Sequence, residues 1–156
     1  MAGNRIKVAK SKAKLLASLI EASEITGVFQ TYVDVIVFAA ALGAKRKKRI
    51  PIEEISRKEP EPIPQEHFIS RGYENVINLL ALADTQDVNV LTKDEISEEE
   101  RIKIFEEYAN AGLQILEDSL KGSVSHLDRI LLFLTLEKNE TAEHNREFDL
   151  SHFIPC

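Results

Sequence analysis

The chain has 156 residues, 44% of them hydrophobic and 29% charged, which is typical of a soluble globular protein able to bury a core. Its longest apolar run, residues 35–44, is about half the length of a bilayer span, and its basic N-terminus lacks the apolar core of a secretory signal. We therefore expect a cytoplasmic protein without membrane contact, and the single cysteine, Cys156, excludes an internal disulfide.

The net charge of −6 conceals an asymmetry along the chain. Residues 1–58 contain 12 Lys and Arg against 5 Asp and Glu, whereas residues 59–156 contain 8 against 21. One basic face could therefore meet a polyanion, or the two halves could attract each other inside the fold. Both interpretations stay open on charge alone.

The first elements are predicted as a short strand and a helix. Residues 4–10 alternate in polarity, which indicates a strand or an extended arm. Ser11 is a suitable N-cap for a helix over about residues 11–23. Cations at the start of a helix oppose its dipole, and such a conflict marks either an anion-binding surface or a solvated face. Three lysines crowd this start: Lys10, Lys12 and Lys14.

The second helix carries the strongest signals in the chain. Thr31 followed by Asp34 predicts a capping box at its start. The apolar run continues to Leu42, and Gly43 is the predicted C-cap. Because the segment is apolar on nearly all sides, it is expected to be the central, most buried helix. A cluster of five consecutive cations follows it: Lys45, Arg46, Lys47, Lys48 and Arg49.

The rest of the chain is predicted to be mostly helical after a proline-rich connection. Residues 49–68 are irregular, with one helical turn at 52–56. A third helix or pair of turns covers 68–83, and Ser97 with Glu100 caps a long helix that ends at Gly122. A last helix starts at Ser123 or Ser125 and ends near residue 136.

These elements define the expected architecture. It is a mainly α protein of about five helices, forming a single compact helical domain over residues 1–136 with at most one short N-terminal strand. Residues 137–156 are predicted to be a polar C-terminal tail.

The sequence shows no constellation typical of an enzyme. It contains no P-loop, no dinucleotide-binding glycine motif, no nucleophile elbow and no zinc-protease motif, so no catalytic residue and no cofactor are expected. His144, His152 and Cys156 are too sparse to predict a metal site. Four carboxylates on the long helix could act as pairs, but on an acidic amphipathic helix they are interpreted as a solvated face: Glu106, Glu107, Glu117 and Asp118.

The cation cluster is the one positive signal for function. Arg can contact phosphate oxygens through two parallel hydrogen bonds, and Lys acts as a point charge, so the cluster suits the backbone of duplex DNA. The N-terminal order of arm, helix, turn and helix also resembles ribbon-helix-helix DNA binders, although the second helix is more apolar than that family needs. A second predicted patch comprises Arg5, Lys7, Lys10, Lys12 and Lys14.

Three blocks of sequence resemble a known bacterial family. They read FQTYVDVIVFAAALGAKRKKR at 29–49, SRGYENVINLLAL at 70–82 and ERIKIFEEYANAGLQIL at 100–116. Together they are similar to DNA phosphorothioation-associated protein 4, also called Dnd system-associated protein 4, over roughly residues 5–136, with no counterpart for the tail. The resemblance implies an accessory role beside the enzymes that place sulfur in the DNA backbone, with other proteins of that system as partners. It implies no catalytic residue.

Two hypotheses follow. The first is a non-enzymatic accessory protein of a phosphorothioation modification or restriction system that binds the DNA backbone through the cation cluster. The alternative is a protein–protein adaptor that uses the acidic helix over residues 98–121 and has no direct DNA contact. Self-association, through the apolar stripe of that helix or the N-terminal strand, is compatible with both, and the modification and restriction roles stay open.

Overall fold

A computed structural model of the protein describes residues 4–26, 29–121 and 126–147. Within these ranges lie six α-helices and one two-stranded sheet, which confirms the mainly α prediction. Two 3-10 helices lie at Lys10–Lys12 and Val88–Leu91. The principal elements are β1 (Arg5–Ile6), α1 (Ala13–Thr26), α2 (Tyr32–Lys45), β2 (Ile63–Pro64), α3 (Gln65–Ser70), α4 (Glu74–Thr85), α5 (Glu95–Leu120) and α6 (His126–Glu147).

The chain forms two compact units, Met1–Asp118 and Ser119–Cys156. The first unit contains the sheet, α1 to α4 and nearly all of α5. The second contains α6, which continues to Glu147 where the sequence predicted an end near residue 136. The predicted end of α5 at Gly122, and the predicted starts of α6 at Ser123 and Ser125, lie outside the described residues.

The N-terminal arm is an extended segment paired with the proline-rich connection. β1 pairs antiparallel with β2, so the predicted N-terminal strand is confirmed. Beyond β1, the Ser56 N–H donates to the Val8 carbonyl at 2.7 Å and the Lys10 N–H donates to the Glu54 carbonyl at 2.8 Å. The helical turn predicted at residues 52–56 is therefore wrong, because the arm pairs with this backbone in an extended form.

Two predicted helix caps are also wrong. Ser11 lies inside the 3-10 helix that precedes α1, and the structure shows no side-chain capping bond there. α5 starts at Glu95, and the Asp94 carboxylate accepts the N–H of Ser97 at 2.8 Å, so the N-cap is Asp94 and not the predicted Ser97. The capping box at Thr31 and Asp34 is confirmed at the start of α2.

α2 and α5 pack against each other at close range in the first unit. A Cβ atom on Gly43 of α2 would overlap the Tyr108 carbonyl of α5, and one on Gly112 of α5 would lie 2.8 Å from the Cα of Ala39 in α2. The two glycines thus let the helix backbones touch. α2 is largely buried, as predicted, but α5 is buried all round over residues 104–113, so the core is shared by both helices.

The third predicted helix is divided into α3 and α4. The chain reverses at Gly72, whose φ of 85° lies in the left-handed region that suits glycine. Before the turn, Phe68 is fully buried and meets Phe105 of α5 edge to face, with 5.7 Å between ring centroids. After it, the Tyr73 hydroxyl donates to Asp34 of α2 at 2.7 Å. α3 and α4 are therefore attached to the core by separate contacts.

Candidate nucleic-acid interface

The cation cluster lies at the C-terminal end of α2, on a backbone that hydrogen bonds hold in place. The helix continues past Gly43 and its C-cap is Arg46, so the predicted C-cap at Gly43 is wrong. Lys47 is left-handed, with a φ of 54°. Its N–H donates to Ala44 at 3.0 Å and the Lys48 N–H donates to Gly43 at 2.9 Å, which together form a Schellman motif.

The last cation of the cluster, Arg49, is partly exposed and forms ion pairs with two other elements of the fold. Its Nη1 contacts Asp84 at 2.7 Å, and its Nη2 contacts Glu107 at 3.1 Å. Its guanidinium also lies 5.8 Å from the ring centroid of Tyr108, whose hydroxyl donates to Asp84 at 2.6 Å. Burial alone would lower the pKa of Arg49, but Glu107 and Asp84 raise it above its ordinary value. A phosphate would have to compete with these two carboxylates.

The other four cations of the cluster lie at the surface. Lys45, Arg46, Lys47 and Lys48 are all exposed. In the part of the chain that the structure describes, the side chains of Lys47 and Lys48 make no hydrogen bond or ion pair. All five cations are thus accessible to solvent, but Arg49 differs from the other four because two carboxylates of the fold bind it.

Lys12, from the second predicted patch, is buried against α5. Its Nζ donates to Gln114 Oε1 and, at 2.9 Å, to Glu117 Oε2. A buried ammonium needs such partners because its desolvation is costly. Lys12 therefore attaches the start of α1 to α5, and its charge is already neutralised.

The remaining members of that patch lie on a surface of mixed charge. Lys10 forms an exposed ion pair with Glu54 at 3.1 Å, and Arg5 donates to the carbonyl of Pro62 at 3.1 Å. Lys7 and Lys14 are exposed. Exposed ion pairs contribute about 0–1 kcal/mol each, so the Lys10 pair could open at little cost.

A cavity of about 390 Å³ lies between the N-terminal arm and the segment that follows the cation cluster. It is lined by Lys10 and Lys12 from the arm and by Ile50, which directly follows the cluster. Glu53 and Glu54 line the same cavity. Carboxylates therefore accompany the N-terminal lysines in this cavity, and none of the four exposed cations at the end of α2 lines it.

The acidic helix α5 is mostly core. Glu106 and Glu107 are both buried, so their interpretation as a solvated face is wrong. Glu106 accepts the backbone N–H of Lys7 at 2.6 Å, while Glu107 binds Arg49. Since residues 104–113 are buried, the central turns of the helix are not available as the adaptor surface predicted for residues 98–121.

Comparison with known proteins gives the family. A model of the family described as DNA sulphur modification system-associated protein 4 matches residues 5–153. The chain belongs to this family. The match includes most of the segment after Glu137, so the expectation that the tail has no counterpart is wrong. No curated protein and no solved structure matches the chain.

The family description places this protein with a DNA sulphur modification system and names it as an associated protein. Of the helices that the structure describes, none is long and apolar enough to cross a membrane. Over the same ranges no three His, Cys, Asp or Glu side chains converge as a metal site would require. His152 and Cys156 lie outside the described residues.

The residues that hold Arg49 were missed by the sequence reasoning. Asp84 lies just beyond the predicted helix 68–83, and Glu107 is predicted to lie on a solvated face, 35 and 58 positions away from Arg49. No local pattern links positions at such separations. The sequence contains only a weak indication of this site. A tyrosine on a core helix, such as Tyr108, usually needs a hydrogen-bond partner for its hydroxyl, and an aspartate such as Asp84 can be that partner.

The contrast within the cluster gives a first prediction. Arg49→Met keeps an apolar stem but leaves Asp84 and Glu107 without their cation, so we expect the free energy of unfolding to fall by about 2 kcal/mol. Lys48→Met, at an exposed position, should change it by about 0.5 kcal/mol or less. Urea unfolding of both variants checks this, and equal effects would contradict a stabilising role for the Arg49 ion pairs.

Proposed function

We propose that this member of the family is a non-enzymatic accessory protein that holds the DNA backbone through the exposed cations at the end of α2. The observation that carries the proposal is the run of four exposed cations, Lys45, Arg46, Lys47 and Lys48, on a backbone fixed by the Schellman motif. Association with a DNA sulphur modification system supports DNA as the polyanion.

The conformation of Lys47 supports this proposal. Its φ of 54° is a position where glycine or asparagine is usually favoured, and a non-glycine residue there costs about 1 kcal/mol. A lysine at this position is unfavourable for the helix end by itself. A requirement for positive charge at the surface would account for it.

The Arg49 contacts support the proposal in a second way. Arg49 binds carboxylates on the α4 end and on α5, so the chain leaving the cluster is fixed as firmly as the helix entering it. A preorganised backbone reduces the ordering cost of binding. The four surface cations would therefore meet phosphates without a rearrangement of the main chain, and without readout of the base sequence.

The second prediction concerns a variant that should lose DNA affinity without losing stability, so that unfolding could not explain the loss. The double change Lys47→Gly and Lys48→Ala removes two exposed charges and relieves the left-handed lysine, so its stability should equal or exceed that of the wild type. Binding to duplex DNA at low salt should weaken. The log-log slope of affinity against salt should become shallower by about 2, since each phosphate contact contributes about 0.9.

The measurement is a salt titration by fluorescence anisotropy, with unmodified and phosphorothioate duplexes of one sequence. The matched control is Lys93→Ala with Lys103→Ala, which makes the same charge change at exposed lysines near the start of α5. Equal weakening by both double variants would mean that net charge alone is responsible. Absence of binding by the wild type at low salt would refute the proposal.

A further inference from the structure

The corner where the 3-10 helix Val88–Leu91 meets the start of α5 exposes large aliphatic side chains. Val88 is 72% exposed, Leu91 38% and Ile96 78%. Residues three apart in a 3-10 helix share a face, so Val88 and Leu91 point the same way, while Val90 is buried beneath them. Ile96 follows in the first turn of α5. We call these three exposed residues the aliphatic corner.

The aliphatic corner is held by hydrogen bonds on its inner side. Arg101 Nη1 donates to the carbonyl of Val90 at 2.6 Å and to that of Thr92 at 2.9 Å. One turn earlier on the same face of α5, the Ser97 hydroxyl donates to the Asp94 carboxylate at 2.9 Å and also lies 3.4 Å from the carbonyl oxygen of Asn89. The 3-10 helix is thus attached to α5, and the exposed side chains are presented on a fixed backbone.

Acidic residues flank the aliphatic corner along the chain. Asp87 caps the 3-10 helix and accepts the N–H of Asn89 at 3.0 Å, and Asp94 caps α5. Lys93 is the one cation between residues 87 and 100, and it is exposed. The next cation, Arg101, directs its guanidinium toward backbone carbonyls. The other acidic residues of the first turns of α5 are Glu95, Glu98, Glu99 and Glu100.

The combination of exposed aliphatic side chains and carboxylates determines what could cover this surface. Clustered exposed aliphatic residues with a polar rim are typical of protein interaction sites. A rim of carboxylates repels DNA and favours cations, and complementary charge sets which partner is accepted. A basic amphipathic helix presents aliphatic side chains on one face and Lys or Arg beside them.

We propose that the aliphatic corner docks a basic amphipathic segment of a partner protein. The partner's aliphatic side chains would cover Val88, Leu91 and Ile96, and its cations would meet the flanking carboxylates. This inference goes beyond the proposed DNA contact. It uses different residues, and the charged side chains beside them are acidic, whereas those proposed to contact DNA are basic. Failure of either proposal therefore leaves the other standing.

The test uses a defined peptide as the probe. A labelled 18-residue helical peptide of Leu and Lys, with leucines on one face, is titrated with the full chain and followed by fluorescence anisotropy. The same peptide with Glu in place of Lys tests the charge requirement. We expect the Leu–Lys peptide to bind and the Leu–Glu peptide not to bind.

Neutral substitutions locate the site without changing the charge of the protein. Val88→Ser with Ile96→Ser should weaken binding of the Leu–Lys peptide about tenfold, since buried aliphatic anchors dominate such interfaces. The control is Ile69→Ser, at an aliphatic residue of α3 that is 41% exposed, and it should leave the affinity within about twofold. All three positions are at the surface, so the variants should fold, which thermal unfolding verifies.

Four outcomes would overturn the proposal. Equal weakening by the control variant, or unchanged binding by the double variant, would place the peptide elsewhere. Equal binding of the Leu–Glu peptide would remove the argument from charge. Sedimentation of the protein alone would show a second copy as the occupant if it revealed a dimer that Val88→Ser with Ile96→Ser dissociates.

Discussion

Gly112→Ala should lower the free energy of unfolding by about 3 kcal/mol, although alanine is normally the better helix former by about 1 kcal/mol. The added Cβ would overlap the main chain of Ala39, with its Cα only 2.8 Å away. Backbone atoms cannot rotate aside as a side chain can, so α2 and α5 would have to separate. That separation would disturb the core that both helices share.

Urea unfolding of Gly112→Ala measures this effect. Gly72→Ala is the matched control, because a Cβ atom there would have no atom within 4 Å. The only expected cost is the strain of an alanine at a φ of 85°. That cost should be about 1 kcal/mol. A Gly112→Ala variant as stable as the wild type would show that the two helix backbones are farther apart than the structure places them.

Local sequence signals predicted the parts of the fold that local chemistry determines. The capping box depends on Thr31 and Asp34, three residues apart, and it is present. The alternating arm became β1, but its partner strand could not be predicted because prolines usually interrupt strands. Gly43 was misassigned because glycine serves both as a helix terminator and as a close-packing residue. The facing residues on α5 decide between the two roles, and they are 65 or more positions away.

The candidate site was predicted only in outline, for a related reason. The sequence indicated five equivalent cations, yet Arg49 binds Asp84 and Glu107 while Lys47 and Lys48 remain at the surface. Lys12 similarly binds Glu117, 105 positions later. Charge patterning along the chain identifies which residues can bind anions. It does not show which of them already have a carboxylate partner in the fold.

The second large expected effect is a pH dependence of stability that arises from Glu106, because its carboxyl is buried in the core. It is 8% exposed and accepts the N–H of Lys7. Burial raises the pKa of Glu106 from 4.5 to about 7, and the neighbouring charge of Glu107 also raises it, against the hydrogen bond from Lys7. Its ionised form is therefore less favourable in the folded state than in the unfolded state.

This raised pKa fixes the direction of the pH dependence. The stability associated with protonated Glu106 is fully present below the unfolded pKa of 4.5 and is lost as pH rises through the folded pKa of about 7. The loss across that window should be about 3 kcal/mol, at about 1.4 kcal/mol per pH unit. Asp34, whose pKa is lowered, contributes in the opposite direction at acidic pH, so a comparison of variants is needed.

Glu106→Gln isolates the contribution of this carboxyl. The amide oxygen can still accept the Lys7 N–H, but it carries no charge at any pH. We expect the variant to match the wild type near pH 4.5 and to exceed its free energy of unfolding by about 2–3 kcal/mol at pH 8. Glu99→Gln, at an exposed position of α5, should follow the wild-type profile throughout. Parallel profiles for Glu106→Gln and the wild type would show that Glu106 titrates near its ordinary pKa and that solvent reaches it in the folded protein.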